Sequence, residues 1–264
     1  MVAAMAADWR TTTLGRTGLT VGRLGMSSSY GMPAAALERA FERGANYFYW
    51  GSLRKKGFAE GLRNLARHRE RFVLVVQSYA PAGWMVRRSV ERALRRLGFD
   101  YADVLLLGMW SRPVPPRILD AVEELKHRGL IRFLAVSTHK RPLAARLARD
   151  PAYDILHIRY NAVHTGAERD IFPHLPGNPP GIVAYTATSW RQLLGHRRIP
   201  KDERTPTAGD CYRFVLSNPA VDVCMTGTAD LEQTEHALDA LDRGPLSEEE
   251  MAWMRRVGRA IYGK

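Results

Sequence analysis

The sequence predicts an α/β fold, a closed (β/α)₈ TIM barrel, on three observations. Eight short apolar runs rich in β-branched residues alternate with amphipathic stretches of helical period, the order that builds a parallel sheet. The runs are nearly continuous rather than alternating, which suits strands covered on both faces. The length, 264 residues, is long for one layered domain and ordinary for a barrel folded as one unit, so residues 1–264 read as a single domain.

The elements follow in order. "TTTLGRTGLTV" carries two strand-like pieces around Gly15 and Gly18 and is expected to form a β-hairpin across the barrel floor. Strands are predicted at 23–28, 46–51, 71–78, 103–108, 131–138, 155–160, 181–187 and 221–227. Between the first two, "PAAALERAFERG" opens on Pro33 and closes on Gly44, residues that start and stop helices. "GWMVRRSVERALRRLG" puts Val86, Val90, Leu94 and Leu97 on one stripe, and "PPRILDAVEELKHRG" does the same with Ile118, Val122 and Leu125. After the last unit, "LSEEEMAWMRRVGRAIYG" gives an extra C-terminal helix, with Ser247 as N-cap and Glu250 completing a capping box.

Composition narrows the function classes. The chain is 45% hydrophobic and 25% charged, ordinary for a protein with a large core. No apolar run reaches the roughly 18 residues of a membrane span. "MVAAMAADWRTTTLG" lacks a basic n-region and reads as a frayed start rather than a signal peptide. Cys211 and Cys224 form no metal or disulfide pattern and read as reduced thiols of a cytoplasmic protein. The formal charge of +12 would attract polyanions, but the basic residues are scattered among acids and no nucleic-acid-binding motif accompanies them. No nucleic-acid or membrane partner is therefore expected, and no spacing suggests a metal site.

The resemblance rests on ordered segments. "TLGRTGLTVGRLGMSSSYG", "RRSVERALRRLGFDYADVLLL", "AVEELKHRGLIRFLAVS", "RYNAVHTGAE", "GIVAYTATSWRQLL", "RFVLSNPAVDVCMTG" and "PLSEEEMAWM" resemble successive segments of the aldo-keto reductases, over about 90% of the chain. The resemblance implies carbonyl reduction with a nicotinamide dinucleotide. In that family a Tyr is the general acid, a Lys steadied by an Asp lowers its pKa, and a His orients the carbonyl oxygen. A nearby ammonium favours the phenolate of a group whose free pKa is about 10.

The segment "NYFYWGSLRKKG" departs from that pattern. Gly57 and Glu60 fix the register, which places Tyr49 at the Asp position and Arg54 at the Tyr position. The Lys position falls on Gln77, or on Ser78 if the register slips by one, and the His position on Gly108. Losing a general acid costs roughly 10²–10⁴ in rate, so the ordinary mechanism is expected to be lost. By resemblance Ser137 holds the nicotinamide carboxamide, Tyr185 stacks on its ring, and His157 stands where the family has Gln. Thr226 and Gly227 would bind an anion beside the following helix, but Asp230 and Glu232 replace the cation expected for a 2′-phosphate. NADP or NAD is the implied cofactor, with binding weakened or lost.

Residues at the C-terminal ends of barrel strands face the mouth. That rule gives an aromatic substrate pocket of Tyr30, Trp50, Gln77, Tyr79 and Trp110, with Lys55, Lys56 and His164 at its edge and brief loops after the fourth and seventh strands. Tyr49, with Arg54 lowering its pKa, is the candidate acid, and His139 a candidate base. Each also has a plain structural explanation: Tyr49 as filler of the space left by Asp and Lys, His139 as a surface or capping residue, "RKK" as a solvated loop. A diverged oxidoreductase acting on a small molecule, anionic if "RKK" binds it, stands narrowly first. The alternatives are a non-redox lyase, isomerase or cyclase, and a catalytically inactive ligand-binding protein.

Overall fold

A computed structural model describes residues 9–51, 56–195 and 197–263. The hairpin strands β1 (Thr11–Thr13) and β2 (Thr20–Gly22) pair antiparallel. The barrel strands are β3 (Leu24–Ser27), β4 (Tyr47–Trp50), β5 (Val73–Ser78), β6 (Ala102–Leu107), β7 (Ile131–Ser137), β8 (Ile155–Arg159), β9 (Gly181–Tyr185) and β10 (Val223–Thr226). They pair in parallel in sequence order, and β10 closes on β3 with Cys224 opposite Leu24. Each lies inside its predicted span except β6, which starts one residue earlier. The connecting helices are α1 (Ala34–Glu42), α2 (Lys56–Asn64), α3 (Gly83–Leu97), α4 (Pro116–His127), α5 (Arg141–Leu147), α6 (Ala167–Asp170), α7 (Ala208–Leu216) and α8 (Leu231–Asp242), with α9 (Glu248–Tyr262) following.

Two apolar layers hold the fold. Tyr47, Val75, Val104, Leu106, Ala135, Ile155, Val183 and Val223 fill the barrel interior with Leu14 from the hairpin. Leu14 closes the floor, and Gly15 at φ 43° lies so close to β9 that an added Cβ would meet Gly181 N at 2.2 Å. The second layer packs the outward strand residues against the helices, including the predicted stripes of α3 and α4. The capping box of Ser247 and Glu250 forms at the start of α9 as predicted.

Strand alternation corrects one expectation. Side chains on a strand point to opposite faces in turn. Tyr47 and Tyr49 point into the barrel, so Phe48 and Trp50 point out to the helices. Trp50 is fully buried there, with Arg96 over its ring, and does not line the substrate pocket. Among the described residues no helix is long and apolar enough to cross a membrane, and no group of His, Cys, Asp and Glu is placed to hold a metal ion.

Candidate functional site

At the C-terminal ends of the barrel strands lies a cavity of about 1140 Å³. It is elongated. One end is floored by Tyr49, Gln77, Ser137 and His157, and the other runs between the first turn of α7 and the face of α8 that carries His236 and Arg243. Tyr30, Tyr79, His139, Tyr185, Thr226 and Gly227 also line it, so the strand-end rule collects most of the predicted site residues. Trp110 does not join them: it packs against the outer core while its backbone N–H donates to the Ser137 carbonyl at 2.9 Å. His164 stacks edge-on with Trp190 and Tyr262 outside the cavity lining. Arg54 and Lys55 lie outside the described residues, and Lys56 is an exposed residue at the start of α2.

The groups of the floor are joined by hydrogen bonds. Tyr49 Oη donates to Gln77 Oε1. Behind it, Tyr47 Oη and His157 Nε2 lie 2.9 Å apart in the sealed interior. Burial lowers the His157 pKa to about 3 and pushes the Tyr47 phenol up, so at neutral pH both are uncharged. Ser137 Oγ accepts from Met109 N at 2.8 Å. That bond pins the loop after β6, where Met109 takes the left-handed conformation, φ 58°. Tyr185, raised to about 12 by burial, meets His139 edge to face, with its hydroxyl 3.4 Å from Nδ1. Burial first, then the charge of Arg159, holds the His139 pKa below the usual imidazole range.

Three tyrosine rings of the site lie on glycines. A Cβ on Gly51 would stand 2.5 Å from the Tyr49 ring, one on Gly108 2.3 Å from Tyr79, and one on Gly227 2.3 Å from Tyr30. The glycine at position 108 therefore makes room for the Tyr79 ring beside Gln77. Backbone strain gathers at the same place. The non-glycine residues with positive φ among those described are Met109, Thr186, Ser189, Trp190 and Arg191, and all but Ser189 line the cavity. Such residues cost about 1–3 kcal/mol each unless their surroundings fix them. Asn161 Nδ2 donates to the Thr186 carbonyl at 2.8 Å, and Ser189 N to the same oxygen at 2.8 Å.

At the remote end the side chains are already engaged. The Thr226 hydroxyl donates to the Gly25 carbonyl, Thr228 bonds Thr234, and Asp230 caps α8 through Gln233 N. Arg243 pairs with Asp210 and Glu250. Sequence reading placed Thr226 and Gly227 at this end but missed His236, Asp239 and Arg243, which look like the polar face of a helix. It also missed Met109 and Trp190, although both sit in loops that leave the mouth ends of strands.

Comparison with known proteins agrees with the barrel fold. The profile of the family described as "Aldo/keto reductase family" matches residues 33–210. An L-galactose dehydrogenase of Arabidopsis thaliana is 25% identical over 65% of this chain, which spans 63% of that protein's length. The uncharacterized oxidoreductase YqkF of Bacillus subtilis is 20% identical over 88% of this chain and 89% of its own. Among solved structures, the holo form of the aldo-keto reductase AKR11C1 from Bacillus halodurans superposes with a TM-score of 0.79 at 21% identity, covering 95% of this chain and 97% of that one. An aldo/keto reductase from Klebsiella pneumoniae, in complex with NADP and acetate, gives 0.74 at 23% identity, covering 94% of each chain.

Proposed function

Since the chain belongs to the aldo/keto reductase family, we propose that it is an oxidoreductase passing hydride between a nicotinamide dinucleotide and a small carbonyl compound at the barrel mouth. One observation carries this reading. Ser137, His157 and Tyr185, the residues assigned to nicotinamide by resemblance, share one elongated cavity with Thr226, Gly227 and α8, so both ends of a dinucleotide have a place in it.

The residues fit the nicotinamide end better than the phosphate end. Ser137 Oγ accepts from Met109 N and keeps its own hydrogen for a carboxamide oxygen. Neutral His157, held from behind by Tyr47, is a second polar group for the carboxamide, and the Tyr185 ring is a stacking surface. A bound dinucleotide would supply the hydride. At the other end an anion meets the N-terminus of α8, but also the carboxylate of Asp230. Arg243 is occupied by two carboxylates. This balance favours NADH over NADPH.

The reaction at the floor uses residues of its own. Tyr49, Arg54, Gln77 and Gly108 stand at the tetrad positions, so Tyr49 is the group proposed to present a hydroxyl to the carbonyl oxygen, turning toward the substrate the single proton it otherwise gives to Gln77 Oε1. The absence of a charged side chain among the described residues of this floor also favours a second reading, ligand binding or non-redox chemistry in the same cavity. Mixing the protein with NADH and a panel of carbonyl compounds, and following dinucleotide absorbance, separates the two. Turnover that falls roughly 10²–10⁴-fold in Tyr49→Phe supports Tyr49 as acid. Turnover unchanged in that variant removes it from the role, and none with any acceptor leaves the second reading.

A further inference from the structure

We propose that Tyr47 fixes the tautomer of His157, so that the imidazole faces the cavity with Nδ1–H as a donor and holds the oxygen, not the nitrogen, of the nicotinamide carboxamide. The inference rests on the oxidoreductase reading above. It adds a positioning residue, Tyr47, and the hydrogen-bond pattern that this floor asks of its ligand.

The pair sits where a tautomer is decided by its surroundings. Tyr47 is fully buried, His157 is 3% exposed, and Tyr47 Oη lies 2.9 Å from His157 Nε2. The two residues come from β4 and β8, on opposite sides of the barrel. Tyr47 shares the interior with Val75, Val104, Ile155 and Val223, and among the described residues its hydroxyl has no other hydrogen-bond partner. A hydroxyl carries one hydrogen and two lone pairs. If Nε2 held the ring proton, Tyr47 would accept it and its own hydrogen would be stranded, in apolar surroundings that give a bridging water too few partners. If Tyr47 donates, its hydrogen meets the Nε2 lone pair and only an oxygen lone pair stays unfilled, a milder defect than a stranded donor. Burial lowers the His157 pKa to about 3, so at neutral pH one ring nitrogen, not both, carries a proton. That nitrogen is Nδ1.

Nδ1 opens on the cavity. It has no partner among the described residues and is not sealed from solvent, and His157 lines the cavity. A glutamine amide, the group expected here by resemblance, can turn either its oxygen or its N–H groups to a ligand. His157 with Nε2 occupied can only donate. Ser137 pairs with His157 across β7 and β8. Its hydroxyl accepts from Met109 N and is likewise left as a donor. Two adjacent donors suit one oxygen with two lone pairs and offer nothing to an amide N–H. The pair therefore reads the carbonyl half of the carboxamide and is indifferent to its nitrogen.

The tautomer is read from nitrogen–proton correlation spectra of the protein carrying isotope-labelled histidine, at neutral pH and without dinucleotide. The His157 signals are those lost in His157→Gln. The expected pattern is a protonated Nδ1 and a bare Nε2. Tyr47→Phe keeps the ring in the interior and removes the hydroxyl, so the Nε2 signal should move while those of the other histidines stay and report an intact fold. In parallel, calorimetry compares NADH with its reduced acetylpyridine analogue, in which a methyl group replaces the amide nitrogen. The two dissociation constants should agree within about fivefold, whereas an acceptor deprived of its amide N–H would weaken the analogue by more than that. A proton on Nε2, an Nε2 signal unmoved by Tyr47→Phe, or a larger preference for NADH overturns the proposal, and NADH binding then leaves the oxidoreductase reading standing. No binding of either dinucleotide overturns both.

Discussion

Replacing His157 by Gln should flatten the acid side of the stability curve. The imidazole is almost wholly buried against Tyr47, and burial lowers its pKa from 6.5 to about 3. The sign follows from proton counting. Below pH 6.5 the unfolded chain takes up a proton that the folded protein refuses until about pH 3, so stability falls with pH throughout that window. One pKa unit is about 1.4 kcal/mol. Two units below the ordinary value, at pH 4.5, the folded protein has therefore lost about 2.5 kcal/mol through this group, and about 4 kcal/mol by pH 3. Asp222 acts in the opposite sense: burial raises its carboxyl to about 6, so its contribution is lost as pH rises through that value. It is the same in wild type and variant and cancels in the comparison. The assay is urea unfolding at pH 7 and pH 4.5 for wild type and His157→Gln, a side chain that still reaches the Tyr47 hydroxyl. Wild type should lose about 2.5 kcal/mol more than the variant over that interval. Equal losses would refute a buried, neutral His157.

Other changes probe the supports of the site. Asp210→Ala removes the fully buried carboxylate that caps α7 and receives Arg204 and Arg243. The exposed arginines rehydrate, so the loss in a urea titration should be about 2–3 kcal/mol, the cap plus hydrogen bonds to a charged group. Gly258→Ala places a Cβ 2.0 Å from the Ala162 carbonyl oxygen. Neither backbone yields easily, so α9 should be displaced and the thermal midpoint should fall, by the equivalent of about 1–3 kcal/mol or more. Ser137→Ala strands the Met109 N–H, which should cost about 1–3 kcal/mol in unfolding and weaken dinucleotide binding in the same preparation.

The barrel was legible because both faces of its strands are covered: runs such as "FVLVVQS" and "DVLLLG" have no other way to be buried. The cap chemistry of α9 was legible for a local reason, since Ser247 and Glu250 speak to each other across one turn. The cavity lining was legible where it sits at strand ends, as with Ser137, His157 and Tyr185. Trp50 was misplaced because proximity to a strand end does not decide direction; strand alternation does, and Tyr47 and Tyr49 already claim the inner face. Trp110 failed for a related reason, because the backbone bond to Ser137 turns its loop away. The seating of Tyr79 on Gly108 joins different strand ends, and a linear reading records only a missing histidine. Trp190 depends on a run of left-handed residues that no glycine announces.

The proposed function requires one cavity to hold a nicotinamide dinucleotide with its ring at Ser137, His157 and Tyr185. The most direct measurement is a calorimetric titration of the protein with NADH and, separately, NADPH, repeated on Tyr185→Ala. The account predicts micromolar binding of NADH, weaker binding of NADPH, and a loss of affinity of about tenfold when the stacking ring is removed. Absence of heat with both dinucleotides, or affinity indifferent to Tyr185, would contradict it.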